Sequence, residues 1–215
     1  MSEEVKPRRR YKSAIRQEQA GETRARILAA ARKLFLERGY VATSIEAIAR
    51  EAGVATQTVY AAYGNKRTVL ARLMDVSLGG DDQPVGVLER REPQRMRNEP
   101  DQRAQLRMMA HGIREIMERA GPIFDVMRSA GTAEPEVAAL YGRIQDERRR
   151  NMARVVGWVA ENGPLRDGLS MDDAADIVWT LTSAEVHRLL TADRGWPEER
   201  YERWLGDTLI ASMLP

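Results

Sequence analysis

Apolar residues in this chain recur three, four and seven positions apart, the spacing that lines one face of an α-helix. No stretch alternates apolar and polar positions between turn residues as a strand would. A first helix is predicted from about Gly21 to Arg38, with Ile27, Leu28, Ala31, Leu34 and Phe35 on one face and Gly39 as the stop. A second opens at Thr43-Ser44-Ile45-Glu46. There Thr43 is expected as N-cap and Glu46 as its reciprocal partner, with Ile45, Ile48, Ala49 and Ala52 facing inward. Gly53 ends it, and a short helix follows from Thr56 to Tyr63. Gly64-Asn65 breaks the pattern before a longer helix begins near Lys66, carrying Val69, Leu70, Leu73 and Met74.

Beyond that point the pattern is less regular. Residues 79–101 read as a long arginine-rich loop without strong periodicity. Helical spacing returns at Leu106, Met109, Ala110, Ile113 and Met117, then in a short segment around Pro122–Ala130 and in a helix from Pro135 to Asn162. Two last helices are predicted over Ser170–Ala192 and Pro197–Met213, with Pro197 in the opening turn. The fold class is all-α.

Composition narrows the chemistry. The 215 residues include no cysteine, which excludes disulfide scaffolds, thiolate catalysis and cysteine-held zinc or iron–sulfur groups. Hydrophobic residues make up 43% of the chain, enough to bury a core, yet no apolar run approaches the roughly 20 residues that span a bilayer. The first ten residues lack the apolar stretch of a secretion signal, so a soluble cytoplasmic protein with no membrane partner is expected. The formal net charge of +2 conceals an asymmetry: residues 1–75 carry net +7 and the remaining 140 carry net −5. Residues 1–20, with Lys6, Arg8, Arg9, Arg10, Lys12 and Arg16, read as a basic flexible arm. Such a basic third on an acidic body fits a polyanion-binding module, or an uneven solvated surface.

Glu46 to Tyr63 has the form of a helix, a tight glycine turn and a second short helix. Small Ala49 lets the helices cross closely, Gly53 turns the chain, and Val54 and Val59 fill the space between. The outer side of the second helix would present Thr56, Gln57, Thr58, Ala61 and Ala62 to a major groove about 12 Å wide. Hydroxyls and an amide suit phosphates and base edges, small alanines allow close approach, and Gln57 has the geometry to read adenine N6 and N7. A helical corner without any ligand has the same outline.

Thr23–Leu73 resembles the DNA-binding domain of the tetracycline-repressor (TetR) family of bacterial regulators. The resemblance rests on Arg26-Ile27-Leu28-Ala29-Ala30-Ala31, Leu34-Phe35, Gly39-Tyr40 and Thr43-Ser44-Ile45. It continues through Ile48-Ala49, Ala52-Gly53-Val54, Thr58-Val59-Tyr60, Tyr63-Gly64-Asn65-Lys66 and Leu70. It implies that Thr58 and Tyr60 touch DNA backbone or bases, that Lys66 meets a phosphate, and that Thr43 addresses another at a helix amino terminus. After the basic arm over 1–20, it implies a three-helix helix-turn-helix DNA-binding domain over 21–66 and a larger helical ligand-binding and dimerisation domain over 67–215. The chain departs from the family pattern at Ala55, where serine is common, so capping would fall to Thr56, and at Ala61-Ala62, where a large ring is common.

The acidic body agrees with that architecture. Ala175, Ile177, Val178, Trp179, Leu181, Ala184, Val186, Leu189 and Leu190 cover more than one face of their predicted helix. Such a helix buries one side in its own core and another against a second surface. With the stripe Tyr201, Trp204, Leu205, Thr208, Leu209 and Met213 it could pair with a second copy as a four-helix interface. Met109, Phe124, Met127, Tyr141, Trp158 and Trp179 are candidate lining for a small hydrophobic or planar effector, since methionines and rings adapt to such ligands. Core packing is the other reading of each. His111 and His187 lie in no nucleophile or metal-ligand arrangement, and nothing in the spacing supports an enzyme, a metal or a cofactor. The expectation is a homodimeric, DNA-binding transcriptional repressor released from a palindromic operator by a small molecule. The alternative is a ligand-independent or nucleoid-associated DNA-binding protein on the same scaffold.

Overall fold

The computed structural model describes residues 8–215, with side chains from Gln19 onward. Residues 1–7, part of the expected arm, lie outside the described residues, as do the side chains of Arg8, Arg9, Arg10, Lys12 and Arg16. The backbone from Arg8 is already helical: α1 runs Arg8–Arg38, so the first helix starts well upstream of Gly21. Among the described residues there is no strand, and no helix is long and apolar enough to cross a membrane.

The chain divides after Leu73 into two units. The first holds α1, α2 (Ile45–Ala52), α3 (Thr56–Tyr63) and the opening of α4 (Lys66–Gly79). Its core joins Ile27, Leu34 and Phe35 of α1 to Ile45, Ile48 and Ala49 of α2, Val59 and Tyr63 of α3, and Val69 and Leu70 of α4. Each large apolar side chain among these contributes about 1.5–3 kcal/mol by leaving water. α2 ends at Gly53, whose φ of +65° lets its amide bond back to the carbonyls of Ala49 and Arg50. Val54 then donates to Ala49 O at 3.0 Å, which closes the turn into α3. α4 starts where Asn65 Oδ1 accepts the amide of Thr68 at 2.9 Å.

The second unit contains α5 (Arg91–Arg97), α6 (Gln102–Gly131), α7 (Pro135–Glu161), α8 (Met171–Leu181), α9 (Ala184–Arg188) and α10 (Glu198–Met213). α6 packs against α7 and α10, and α7 against α8. Four expectations are corrected here. The supposed loop over 79–101 contains a short 3₁₀ turn (Val87–Glu89) and α5, anchored by buried Leu88 and Met96. Arg90 ties this segment down by gripping Asp81 through two hydrogen bonds of 2.8 and 2.9 Å, holding that carboxyl down at about 2. α6 does not stop before Pro122 but runs through it. A proline inside a helix costs ~3 kcal/mol, and the burial of Met117, Ile123, Phe124 and Met127 on either side outweighs that. Finally, the helix expected over Ser170–Ala192 is broken. Thr182 turns its hydroxyl back to Val178 O at 2.7 Å, and Ser183 caps α9 by accepting the amide of Val186 at 3.2 Å. A π-helical turn (Leu189–Asp193) follows, and Pro197 is the N-cap of α10 rather than its first turn.

These backbone assignments predict opposite responses at two glycines whose added Cβ would meet nothing within 4 Å. Gly53→Ala should lower stability by about 1–2 kcal/mol from left-handed strain alone. Gly112→Ala, inside α6, should raise it by roughly 0.5–1 kcal/mol. Urea midpoints of the two variants measured side by side check both signs.

Candidate nucleic-acid interface and effector site

α3 buries Val59 and Tyr63 and turns the opposite face outward. Gln57, Tyr60 and Ala61 share that exposed face at i, i+3 and i+4, with Ala62 beside them, while Thr56 and Thr58 are half-buried on its flanks. Tyr60 stays 43% exposed although it is a large ring. The N-cap of α3 is Ala55, which makes no side-chain bond, so Thr56 does not cap the helix. The third turn of the motif is fixed from below: Tyr63 donates its hydroxyl to Arg24 O at 3.3 Å.

Two other expected contacts are placed differently. Thr43 is 1% exposed, and its hydroxyl donates to Gly39 O at 2.8 Å and Leu34 O at 3.3 Å. The cap of α2 is Ser44, whose Oγ accepts the amide of Ala47 at 3.2 Å. The capping assignment therefore moves by one residue, because Thr43 closes the end of α1 and leaves Ser44 to open α2. Lys66 is half-buried; its ammonium donates to Tyr40 O at 2.8 Å and lies 4.1 Å from the centre of the Tyr40 ring. An acid also sits at this surface. The Glu46 carboxyl is held below its ordinary value by its own backbone amide, then by the Ser44 hydroxyl, with the Tyr60 hydroxyl adding to the effect.

In the second unit, Met109, Phe124 and Met127 are buried along α6, Tyr141 and Trp158 lie on α7, and Trp179 on α8. Phe124 and Tyr141 meet edge to face with ring centres 6.2 Å apart. Trp158 has other company: Arg97 and Arg154 lie over its ring at 5.6 and 5.9 Å. Trp179 lies under Arg148, whose guanidinium is 5.0 Å from the ring centre and donates from both terminal nitrogens to Trp179 O, Nη1 at 2.9 Å. Burial pulls the Arg148 guanidinium down to about 10, against the opposing pull of Glu185. Glu185 accepts the Tyr141 hydroxyl at 2.9 Å, and Gln145 Nε2 donates to the same hydroxyl at 2.8 Å. Burial first, and then Glu185, push Tyr141 up to about 12. Gln145 Oε1, Trp179 Nε1 and the Tyr201 hydroxyl are buried with no hydrogen-bond partner among the described residues.

Sequence reasoning missed Gln145, Arg148, Glu185 and Tyr201 as members of this cluster. A signal exists for Arg148: it lies seven residues after Tyr141 and four before Met152, on the inward stripe of α7, inside a run of three arginines. The histidines also find partners that are distant in sequence. His187 Nε2 meets Glu198 at 2.9 Å and its ring packs on Tyr201, while His111 Nδ1 lies 3.2 Å from Glu202.

Residues 27–73 match the sequence model of the bacterial regulatory proteins, tetR family. A curated relative, the HTH-type transcriptional regulator HbdR of Aromatoleum sp. (strain CIB), is 49% identical over 49 residues, and that stretch is 23% of this chain and 21% of the relative. The chain thus matches only about a fifth of the length of that relative. Solved structures extend the likeness of fold to nearly the whole chain. FadR from Bacillus subtilis, solved with stearoyl-CoA, aligns at a TM-score of 0.66 and 17% identity over 87% of this chain and 98% of its own. NalD of Pseudomonas aeruginosa, the secondary repressor of a multidrug efflux pump, aligns at 0.64 and 20% identity over 92% and 98%. The glycine turn between α2 and α3, the outward face of α3 and the match across both place the amino-terminal unit, over residues 27–73, with the tetR family of bacterial regulatory proteins.

Proposed function

We propose that this protein is a homodimeric transcriptional repressor that binds a palindromic operator in the bacterial cytoplasm and leaves it when a small molecule occupies the second unit. The observation that carries this reading is the outward face of α3, where Gln57, Tyr60 and Ala61 stand together while Val59 and Tyr63 anchor the opposite side. Gln57 is the base reader, Tyr60, Thr56 and Thr58 contact the backbone around it, and Lys66 supplies a cation at the start of α4. The Lys66 ammonium has three N–H donors, and the one held by Tyr40 O fixes its direction. Buried Thr43 acts indirectly, by setting the position of Ser44 and the amino terminus of α2.

One eight-residue helix makes too few contacts for specific binding, so two copies on a dyad read two half-sites about one helical turn apart. Met171 and Leu189, 46% and 50% exposed in the single chain, support a second copy covering the region of α8 to α10. FadR, a protein of this fold solved in complex with stearoyl-CoA, supports the view that this fold accepts a small-molecule ligand. For release, the ligand need only bind more tightly to a conformation whose recognition helices are misplaced for DNA.

Footprinting the purified protein on DNA around its own gene at two salt concentrations tests the reading. A discrete protected palindrome that fades at the higher salt is expected; no binding at low salt overturns it, and salt-sensitive coating without a footprint points to a nucleoid role. On that operator, Lys66→Ala should weaken binding to every sequence. It should also flatten the plot of log affinity against log salt by ~0.9 for each phosphate that the lysine neutralises. An unchanged slope would remove Lys66 from the interface. Gln57→Ala should leave non-specific affinity alone and relax the preference at one position in each half-site, by about 1–3 kcal/mol of discrimination. A selection experiment returning the wild-type sequence logo would reject that role.

A further inference from the structure

α7 carries Tyr141, Gln145 and Arg148 at i, i+4 and i+7, and three other helices bring Trp179, Glu185 and Tyr201 to them. The balance of donors and acceptors in this cluster is uneven. The two acids nearby are engaged: Glu185 accepts the Tyr141 hydroxyl at 2.9 Å, and Glu198 meets His187 Nε2 at 2.9 Å. No carboxylate among the described residues lies within ion-pairing distance of Arg148, whose hydrogen bonds all go to the single carbonyl of Trp179. A guanidinium has five N–H donors in a planar fork, so most of this one is unused. Two further donors, the Trp179 indole N–H and the Tyr201 hydroxyl, are buried without a partner among the described residues, and Tyr201 is 0% exposed. A half-buried cation beside buried, unpaired donors is costly unless something supplies acceptors.

We propose that this cluster binds the anionic head of a small organic carboxylic acid. Its carboxylate lies on the Arg148 guanidinium with the Tyr201 hydroxyl and the Trp179 N–H as further donors, and its apolar body lies toward Tyr141 and Phe124. The assignment rests on the reading of the second unit as the effector-binding part and names the class of effector, replacing the merely hydrophobic or planar ligand expected from the sequence. Guanidinium and carboxylate match as fork to fork. The Phe124–Tyr141 pair gives an aromatic wall next to the charged end. Gln145 Oε1, an unpartnered acceptor, suits a hydroxyl on the same molecule. Arg148 remains protonated at neutral pH even after burial has lowered it to about 10. Glu185 acts on the guanidinium and opposes an incoming anion, and the Tyr141 hydroxyl occupies one of its carboxylate oxygens at 2.9 Å.

The test uses the full chain and four matched pairs of probes: benzoate, 4-hydroxybenzoate, phenylacetate and octanoate, each against its neutral amide. Melting temperature and tryptophan fluorescence titration give the affinities. At least one acid should raise the melting temperature and bind about tenfold more tightly than its amide. Arg148→Gln should erase that preference, Arg148→Lys should keep part of it, and Tyr201→Phe should weaken the acid several-fold. If Arg148→Gln does not fold, Arg148→Lys and Tyr201→Phe decide. Equal or absent binding across all four pairs, as water-filled packing would give, overturns the proposal, as does a preference that survives Arg148→Gln. The footprint run in parallel separates this from the broader reading. Release by the amides alone would sink the acid site and leave the repressor standing. Acid binding without any change in the footprint would keep the site and sink effector-driven release.

Discussion

A chain folded from helices alone leaves unpaired amides and carbonyls at every helix end, and the disposal of those groups decides where this chain can turn. α1 ends because the Gly39 amide reaches Phe35 O at 3.0 Å, and the Thr43 hydroxyl then takes the carbonyls of Leu34 and Gly39. Lys66, two helices later, returns to take Tyr40 O in the same link. Gly53 settles the end of α2 through two carbonyls, and side chains of Ser44, Asn65, Asp101, Ser170 and Ser183 accept amides at the opening turns of their helices. None of these bonds is strong alone, about 1 kcal/mol net. Those between Gly39 and Thr68 leave little choice in the angle between α2 and α3.

That constraint divides the residues of the amino-terminal unit by role. α3 has eight residues, fewer than the ~12–15 an isolated helix needs, so packing holds it. Val59 and Tyr63 provide that packing, and Tyr63 adds a hydrogen bond to α1. Thr43 and Lys66 contribute to the frame, although their residue types alone suggest contact with phosphate. What remains most free of structural duty is the outward strip of Gln57, Tyr60 and Ala61, where only Tyr60 has a side-chain partner, the Glu46 carboxylate. The Glu46 carboxylate at the edge of this strip makes the surface less uniformly basic than net charge suggests, and a negative group near phosphates favours close, well-registered docking over loose attraction.

The legibility of the sequence follows its punctuation. α2 and α3 are readable almost to the residue because Gly53 and Gly64-Asn65 mark their ends. The cap of α2 shifts by one because Thr43 and Ser44 are both competent acceptors, and only tertiary structure shows which is used for closing α1. The upstream part of α1 has no apolar stripe to announce it, and α5 is held by Leu88 and Met96 at a spacing too wide to register as periodic. Pro122 reads as a stop, and a buried surface on both sides overrides it. The Thr182-Ser183 break is hidden by continuous hydrophobicity. Of the expected lining residues, Phe124 and Tyr141 do meet, and Trp179 joins them through polar neighbours, while Trp158 is occupied by arginines. Hydrophobic type locates a core well and cannot say which part of it has polar company.

Arg148 shows why that company matters. A guanidinium drawn partly out of water usually stabilises less than an apolar side chain of similar volume, so its presence on the inward stripe of a packed helix calls for a reason. One reason is visible: it completes the carboxyl end of α8 by taking Trp179 O, which favours a cation there. A shorter polar side chain could do that with less desolvation, and it would not leave most of a planar donor fork unused. Nor does the helix-end role account for the unpaired hydroxyl of Tyr201 or the unpaired indole N–H of Trp179, neither of which bonds to α8's last carbonyls. A role in closing the helix explains one carbonyl; the surplus of donors around it is the part of the cluster that folding alone does not require.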